Sequence, residues 1–572
     1  MKLSLMVTPR SKEELIVIDC GFHENTMPTN MPSRKWHKAT RKWRAPIVRM
    51  NIAYLRRNRE LYEATDDYWE MLNNFKPEGV NRGFPNNYPF KTEPRPHQLT
   101  AIKKLYPFDA SAIYADIGTG KSKMAIDMAA CRYYEGSIQK VLVIALMSLK
   151  HNWEEEVNKH CPINSSIHGL QTSKAGKNRF YRFMEEDGFQ WLVVGVESLS
   201  AGAAFGLCEQ FVDSETMIII DESDSIKTPG KIRTERCIEL GKTAAKRVIM
   251  TGTPIEQGII DLYSQFEFLD PNIVGIGDFY SFRNRYAIMG GYNDKAIIGY
   301  QQVDELLEAV GPRIYQVRKR DVLDDLPEAT YYERRVPMSA EQKALYSTLK
   351  KNLTMEHEGN RLTVNSSINL MQRFAEITGG FYSYIDTEVM DEISIDEKAK
   401  IKYKKAYLKS NPKAKELMAF IGSLPHGEPV IVWAVSKMEV AYIVSILSDA
   451  YGKESVVQMH GGIKEKDRIM GLKRFEAREA QFLVGNQAVG GVGLNMTVAA
   501  IMVYFSNDFS LRRRIQSEGR IERIGQKRAM SYVDIICEAS IDGYIAKALK
   551  NKNDFAEEIR SAFDSGRLED LI

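Results

Sequence analysis

Short, continuous apolar runs recur along most of this chain, each followed by a stretch with the spacing of an amphipathic helix. Between about residues 91 and 330 the runs are Ala112-Ile113-Tyr114, VLVIAL from Val141, WLVVGV from Trp191, MIIID from Met217 and RVIMTG from Arg247. They do not alternate with polar residues. A strand that is apolar on both faces is covered on both faces, as in a parallel sheet flanked by crossover helices. The pattern resumes after about residue 410, with PVIVWAV from Pro429, VVQMH from Val456, QFLVGN from Gln481, AIMVYF from Ala500 and YVDIIC from Tyr532. Two successive blocks of strand–helix units predict an α/β protein of two tandem doubly wound lobes.

The segments around these blocks read differently. Residues 335–410 look mainly helical (SAEQKALYSTLKKNL, then INLMQRFAEI) and carry a lysine run, KAKIKYKKAYLK, at 398–409. That run reads as a solvated face, with a DNA-facing or localisation patch as the alternative. The chain before the first block ends in a Pro/Gly/Asn-rich linker, KPEGVNRGFPNNYPFKTEPRP. The expected domains are a small N-terminal α+β module at 1–88, a first lobe at 89–332, and a second lobe at 333–572 with a helical lead-in at 335–410.

Composition narrows the class. At 572 residues the chain is too long for one core, and 44% hydrophobic with 27% charged residues excludes a disordered, collagenous or disulfide-scaffold protein. No apolar run approaches the ~18 residues of a membrane span. Pro9-Arg10 interrupts the N-terminal stretch before a signal-peptide core forms, which predicts an intracellular, cytoplasmic, DNA-associated protein that is not secreted. The six cysteines form no CxxC pair, so neither a zinc knuckle nor a disulfide frame is indicated.

The net charge of +3 hides an asymmetry. Ten Lys or Arg and no acid lie between Arg34 and Arg59; without those ten, 68 basic residues face 75 acidic ones, a remainder of −7. A localised basic patch on an acidic chain predicts an acidic partner, most simply nucleic acid.

The clearest chemistry is AIYADIGTGKSKMAIDMAA. Strand-like residues lead into Gly118-Thr119-Gly120-Lys121-Ser122, and a helical pattern follows at once. Glycines allow the tight turn that aims backbone N–H groups at phosphate oxygens, and a helix N-terminus adds a favourable dipole. Lys121 would meet the β- and γ-phosphates and Ser122 would ligate magnesium, with ATP as the expected cofactor together with Mg2+. Residues 115–122 (Ala115, Asp116, Ile117, Gly118, Thr119, Gly120, Lys121, Ser122) form the expected phosphate cradle, with Ala115 where the commonest such loop has Gly. MIIIDESD supplies acids at a strand end: Asp221 to hold the metal and Glu222 to orient or deprotonate the attacking water. In the second block, QSEGRIERIGQ places Arg520 and Arg523 three residues apart, a helical spacing that would put both guanidiniums on one face. Arginines brought across a cleft can neutralise charge developing on the γ-phosphate.

These residues in this order resemble the two-lobed motor of superfamily-two helicases, specifically the SWI/SNF-type translocases. The resemblance runs from about 95 to 545 through RPHQLTAIKKL, DIGTGKS, VLVIALMSLKHNWEEEV, VVGVESLS, IIIDESDSIKTPGK, RVIMTGTPIEQGIIDLYSQFEFLDP, VVQMHGGIKEKDR and QAVGGVGLNMTVAAIMVYFSNDFSLRRRIQSEGRIERIGQKR. It implies two RecA-like lobes, Gln98 on the adenine, Gly493 at the nucleotide, and DNA contacts at Lys150, Asn152, Gly461 and Gly462. It has departures. DESD puts Asp224 where the family has histidine, and Glu522 replaces the histidine between the two arginines. Gln487 stands where Ser or Thr is usual, and Glu256-Gln257 where Gln-Asn is usual. These touch coupling between ATP and DNA more than hydrolysis.

KWHKATRKWRAP interleaves Trp36 and Trp43 with cations and weakly resembles the HARP-type module of annealing helicases. Arg34, Lys35, Trp36, Lys42 and Trp43 are the expected nucleic-acid contacts there; the alternative is a small α+β core whose tryptophans are packed. The resulting expectation is a DNA-dependent ATPase that translocates on duplex or branched DNA and remodels protein–DNA complexes or forks, in repair or recombination, with a DNA-bound protein as a further partner. The rivals are a strand-separating DNA or RNA helicase and an ATP-switched binding protein without a motor cycle.

Overall fold

The computed structural model describes residues 1–7, 14–20, 34–47, 51–52, 55, 59–74, 83–147, 150–255, 258–290, 296–323, 326–352, 354–357, 360–363, 367–384, 404–487, 496–523 and 525–551. The chain divides into two compact units, with the break between Val322 and Leu323.

The first unit begins with a five-stranded sheet of β1 (Lys2–Val7), β2 (Glu14–Asp19), β3 (Lys35–His37), β4 (Lys42–Pro46) and β5 (Glu63–Ala64), in the order β3-β4-β2-β1-β5. Leu3, Ile16 and Ile18 sit on one face with Leu55, Tyr62 and Tyr68, and Trp43 packs against this cluster. Helix Asp66–Asn74 completes a small α+β module. The following residues do more than link. Phe84 and Tyr88 are buried, Phe84 meets Tyr106 edge-on, and Lys123 donates to the Thr92 carbonyl at 2.7 Å. From residue 83 onward the expected linker is therefore a packed strap, because its aromatics outweigh its turn-forming residues.

Seven parallel strands follow: β6 (Ala110–Ala115), β7 (Lys140–Ala145), β8 (Ser165–Gly169), β9 (Phe189–Gly195), β10 (Thr216–Asp221), β11 (Lys246–Thr251) and, after a hairpin of β12 (Ala287–Gly290) and β13 (Ala296–Tyr300), β14 (Ile314–Val317). Their order is β14-β6-β11-β10-β7-β9-β8. Every residue of β6, β9 and β10 is buried, as the unbroken apolar runs require.

In the second unit, β15 (Ala329–Val336) pairs with the last strand. The stretch expected to be mainly helical contains helices Ala340–Asn352 and Ser367–Gly379, but also two hairpins. These are β16 (Thr354–His357) with β17 (Asn360–Thr363), and β18 (Phe381–Tyr384) with β19 (Lys404–Tyr407). The end of the lysine run is thus a strand; its residues 398–403 lie outside the described residues. β20 (Val430–Trp433), β21 (Val456–Met459), β22 (Phe482–Gly485), β23 (Ile501–Tyr504) and β24 (Met530–Cys537) complete a parallel sheet ordered β15-β24-β23-β20-β22-β21. Within β20, Val430 and Val432 enter one core cluster while Ile431 and Trp433 enter the other. Successive side chains of a strand point to opposite faces, so both faces of this sheet are covered. Among the described residues no helix is long and apolar enough to cross a membrane.

Candidate nucleotide site

Adjacent strands gather the candidate chemistry of the first unit. β11 lies between β6 and β10, with Thr251 paired to Tyr114 and Asp221 paired to Met250. All three run parallel, so the loop after β6, the Thr251-Gly252-Thr253 turn and the Asp221-Glu222 pair leave the sheet at one edge. Ligands of open α/β sheets bind at that carboxyl edge.

The loop after β6 turns through Gly118 and Gly120, each with φ of 89°. Helix Lys121–Tyr134 starts directly after Gly120. Lys121 is buried and its Nζ donates to the Ala115 carbonyl at 2.8 Å, folding the lysine back over the loop. Thr119 Oγ1 closes the turn onto the Asp116 carbonyl at 2.7 Å. Asp116 itself faces away: its Oδ2 accepts from the Lys319 backbone N–H at 3.0 Å, beside β14. Ile117 and Ser122, both half-buried, flank the glycine turn.

Gln98, expected at the base, is buried on helix Pro96–Leu105 and braces the loop. Its Nε2 donates to the Thr119 carbonyl at 3.0 Å and its Oε1 accepts from the Arg95 N–H at 3.0 Å. His97 Nε2 lies 2.9 Å from the same carbonyl.

Asp221 ends β10 and is buried, and Trp153 Nε1 donates to its Oδ2 at 3.0 Å. Burial, then the charge of Glu222, push the Asp221 carboxyl above the usual carboxylate range; Lys121 and the indole oppose that shift. Glu222 adopts φ 54° and ψ 63°, a left-handed conformation, and accepts from Thr251 Oγ1 at 3.2 Å. Asp224, which stands where the resembled family has histidine, also faces Thr251 Oγ1, at 3.4 Å. Thr251 Oγ1 in turn accepts from the Thr253 N–H at 3.0 Å. Gln265 ties these turns together: its Oε1 accepts from Ser223 at 2.7 Å and its Nε2 donates to the Pro254 carbonyl at 3.0 Å.

The donor set suits a hard cation. Ser122 offers a hydroxyl and Asp221 a carboxylate whose charge is disfavoured by burial and by its acidic neighbour, a situation that a divalent cation relieves.

In the second unit, helix Leu511–Glu518 ends earlier than the spacing of Arg520 and Arg523 suggests. Both lie in the tight turns beyond it, because the Arg520 carbonyl accepts from Met496 N–H at 3.0 Å and Gln526 Nε2 reaches the Ala499 carbonyl at 2.8 Å. These bonds to the segment before β23 pull the chain out of the helix. Arg520 is buried and Arg523 half-buried. The helix is anchored by Arg514, which binds Asp534 at 2.5 Å and Glu518 at 2.5 Å and lies 3.5 Å over the Tyr504 ring. Gly493 falls outside the described residues, as do Glu256 and Gln257; Gln487 is buried.

The expected nucleic-acid residues divide. Trp36 is 47% exposed on the edge strand β3, packed edge-on against Trp43 at 5.3 Å. Trp43 instead belongs to the module's core rim, and Lys42 pairs with Asp19 at 2.6 Å. Arg34 and Lys35 are exposed. Lys150 Nζ donates to the Leu170 carbonyl at 2.5 Å, Asn152 is half-buried, and Gly461 and Gly462 lie in a turn after β21. The sequence pattern assigns no role to Trp153 or Gln265. Their partners lie 68 and 42 residues away, with nothing local to mark them.

Residues 50–379 match the SNF2-related domain and residues 412–525 the helicase conserved C-terminal domain. Chromodomain-helicase-DNA-binding protein 1-like of Danio rerio is 22% identical, over 79% of this chain and 42% of that protein. The ISWI chromatin-remodeling complex ATPase ISW1 of Saccharomyces cerevisiae is 24% identical, over 80% of this chain and 40% of its own length. The chain thus spans less than half of either relative. A solved Sulfolobus solfataricus SWI2/SNF2 ATPase core in complex with dsDNA aligns with 86% of this chain and 98% of its own at 20% identity, with a TM-score of 0.37.

Proposed function

The chain belongs to the SNF2-related domain family, and from that premise we propose that it is a DNA-dependent ATPase that translocates on duplex DNA and so remodels protein–DNA complexes or branched DNA. The observation that carries the proposal is the meeting of the Gly118–Ser122 loop, Thr251 and Asp221-Glu222 at one edge of three adjacent parallel strands.

The loop N–H groups and the start of helix Lys121–Tyr134 would receive the phosphates, with Lys121 turning from the Ala115 carbonyl to the β- and γ-phosphates. Ser122 and Asp221 would hold magnesium, which when bound would offset the negative charge of the phosphates. Glu222 would accept the proton of the attacking water or orient it. Thr251 is poised to report that event, since one hydroxyl faces both Glu222 and Asp224. Arg520 and Arg523 are assigned the neutralisation of charge on the γ-phosphate from the family resemblance. The N-terminal module, with Arg34, Lys35 and Trp36, would hold nucleic acid by charge and stacking. Related proteins named as chromatin-remodeling and DNA-binding helicases support a DNA track.

The test is ATP hydrolysis with no DNA and with single-stranded, duplex and forked DNA, in the native chain and in Glu222→Gln. Stimulation by duplex or forked DNA that Glu222→Gln abolishes is the expected result. Hydrolysis indifferent to every DNA would overturn the motor reading, and robust unwinding of a tailed duplex would replace it with strand separation.

A further inference from the structure

We infer that Trp153 is a positioning residue that couples nucleic acid on helix Lys150–His160 to the carboxylate of Asp221. The inference rests on the proposed DNA-dependent ATPase. Trp153 is 1% exposed and gives its only polar side-chain hydrogen to Asp221 Oδ2 at 3.0 Å. It lies one residue from Asn152 and three from Lys150, the two positions of this helix assigned to DNA. The first turn of the helix therefore joins the Asp221 bond to the two positions that the family resemblance assigns to DNA.

The physical link is one bond between two otherwise well-fixed parts. Asp221 ends β10, which is paired on both sides by β7 and β11, so its backbone has little freedom. The indole is held by close packing, so it follows the helix as a body. A donor fixed in this way orients the carboxylate that would hold the cation, as outer partners of metal ligands do. A shift of the helix on a DNA backbone is then felt at Asp221 without passing through Gln265 or Thr251, which serve the next turns of the edge. Lys150 adds a second position to the helix: its amine is satisfied by the Leu170 carbonyl, a bond for which a phosphate would compete.

Two replacements separate bonding from bulk. Trp153→Phe removes the donor with some loss of volume, while benzothienylalanine at 153 keeps the bicyclic shape and lacks only the N–H. Expected for both are a kcat lowered by about 10- to 100-fold and a clear fall in the ratio of DNA-stimulated to basal turnover. Binding of a fluorescent ATP analogue without magnesium, and of duplex DNA, should stay as in the native chain, whereas the gain in nucleotide affinity on adding magnesium should shrink. A benzothienylalanine protein with the native stimulation ratio overturns the coupling, as does one that loses duplex affinity in parallel with stimulation. Should the native chain itself show no DNA stimulation, the parent reading fails first, and the two failures are distinguished by that control.

Discussion

Glu222 holds a backbone conformation that a non-glycine residue adopts at a cost of about 1 kcal/mol or more. The strain falls on the carboxylate assigned to the water, flanked by Thr251, and backbone strain of this kind collects where a side chain must be aimed. Glu222→Gln keeps the shape and removes the charge, so nucleotide binding should persist while turnover falls about 10²–10⁴-fold, read in single-turnover assays. Glu222→Gly should lose turnover as well, yet unfold at a temperature no lower than the native chain, since glycine accepts φ 54° without penalty. A large drop in its melting temperature would show that the Thr251 contact outweighs the strain. Gly120 shows the opposite constraint. Its φ of 89° disfavours any side chain, and an added Cβ would run into Gln98 Nε2. Gly120→Ala should therefore displace Gln98 from Thr119 and cost about 1–3 kcal/mol of stability, with nucleotide affinity reduced alongside; intact affinity in calorimetry would refute the bracing role of Gln98.

Individual elements show where sequence pattern and structure part. The interior strands β6, β7, β9, β10 and β11 are legible as apolar runs because both of their faces are covered. β8, β14 and β15 are not, and each pairs with a single neighbour at a sheet edge. Their sequences, SSIHG, IYQV and ATYYERRV, mix polar with apolar residues because an edge strand is partly wet. The phosphate loop and the acidic strand end are legible because their residues are neighbours in sequence. The Trp153 and Gln265 bonds join distant segments and emerge only from the fold. One such bond anchors the helix–hairpin segment of the second unit. Lys413, wholly buried, donates to Asp542 Oδ2 at 2.8 Å, and Thr378 of helix Ser367–Gly379 donates to Oδ1 at 2.9 Å. Burial lowers the affinity of Lys413 for its proton, but Asp542 and its acidic neighbours outweigh that and hold it above the ordinary 10.5. A raised lysine stabilises the fold below its unfolded value and forfeits that contribution as pH climbs past it, so the effect should appear only above about pH 10.5. Lys413→Met should cost about 3–5 kcal/mol in denaturant unfolding by stranding Asp542. Lys413→Met with Asp542→Leu should recover much of that stability and flatten the alkaline limb. A double variant no better than the single would mean that the bonds to Thr378 and Cys537, not the ion pair, hold the segment.

At the scale of the whole molecule, charge is distributed against function in a way that can be measured. Residues 1–82 carry 15 basic against 10 acidic residues and the rest of the chain 63 against 65, so the module is +5 while the motor portion, at −2, does not draw DNA by net charge. A basic module carried ahead of it would supply the long-range, salt-sensitive part of affinity, leaving the family motifs to supply the ATP-dependent part. The fold sharpens where that module can be cut. Phe84 packs on Tyr106 and Tyr88 is buried beside it, while Thr92 accepts from Lys123, so a truncation at 88 would injure the first unit. Removal of residues 1–82 takes away the module through helix Asp66–Asn74 and leaves those interactions whole. Nucleotide binding should survive this truncation. Log affinity for duplex DNA should fall less steeply with log salt, by about 0.9 for each phosphate that is no longer neutralised, or about 0.7 on single strands. The two tryptophans then resolve what the module does with its aromatics. Trp36 is exposed on the edge strand, so Trp36→Ala should cost roughly 1–3 kcal/mol of single-strand or fork binding with the melting temperature unchanged. Trp43 is seated on the core rim, so Trp43→Ala should instead lower stability and weaken binding only as the module unfolds. Equal salt slopes for the truncated and full chains, measured by fluorescence anisotropy from low to physiological salt, would place the DNA contacts entirely on the two α/β units and leave Trp36 without a base to stack on.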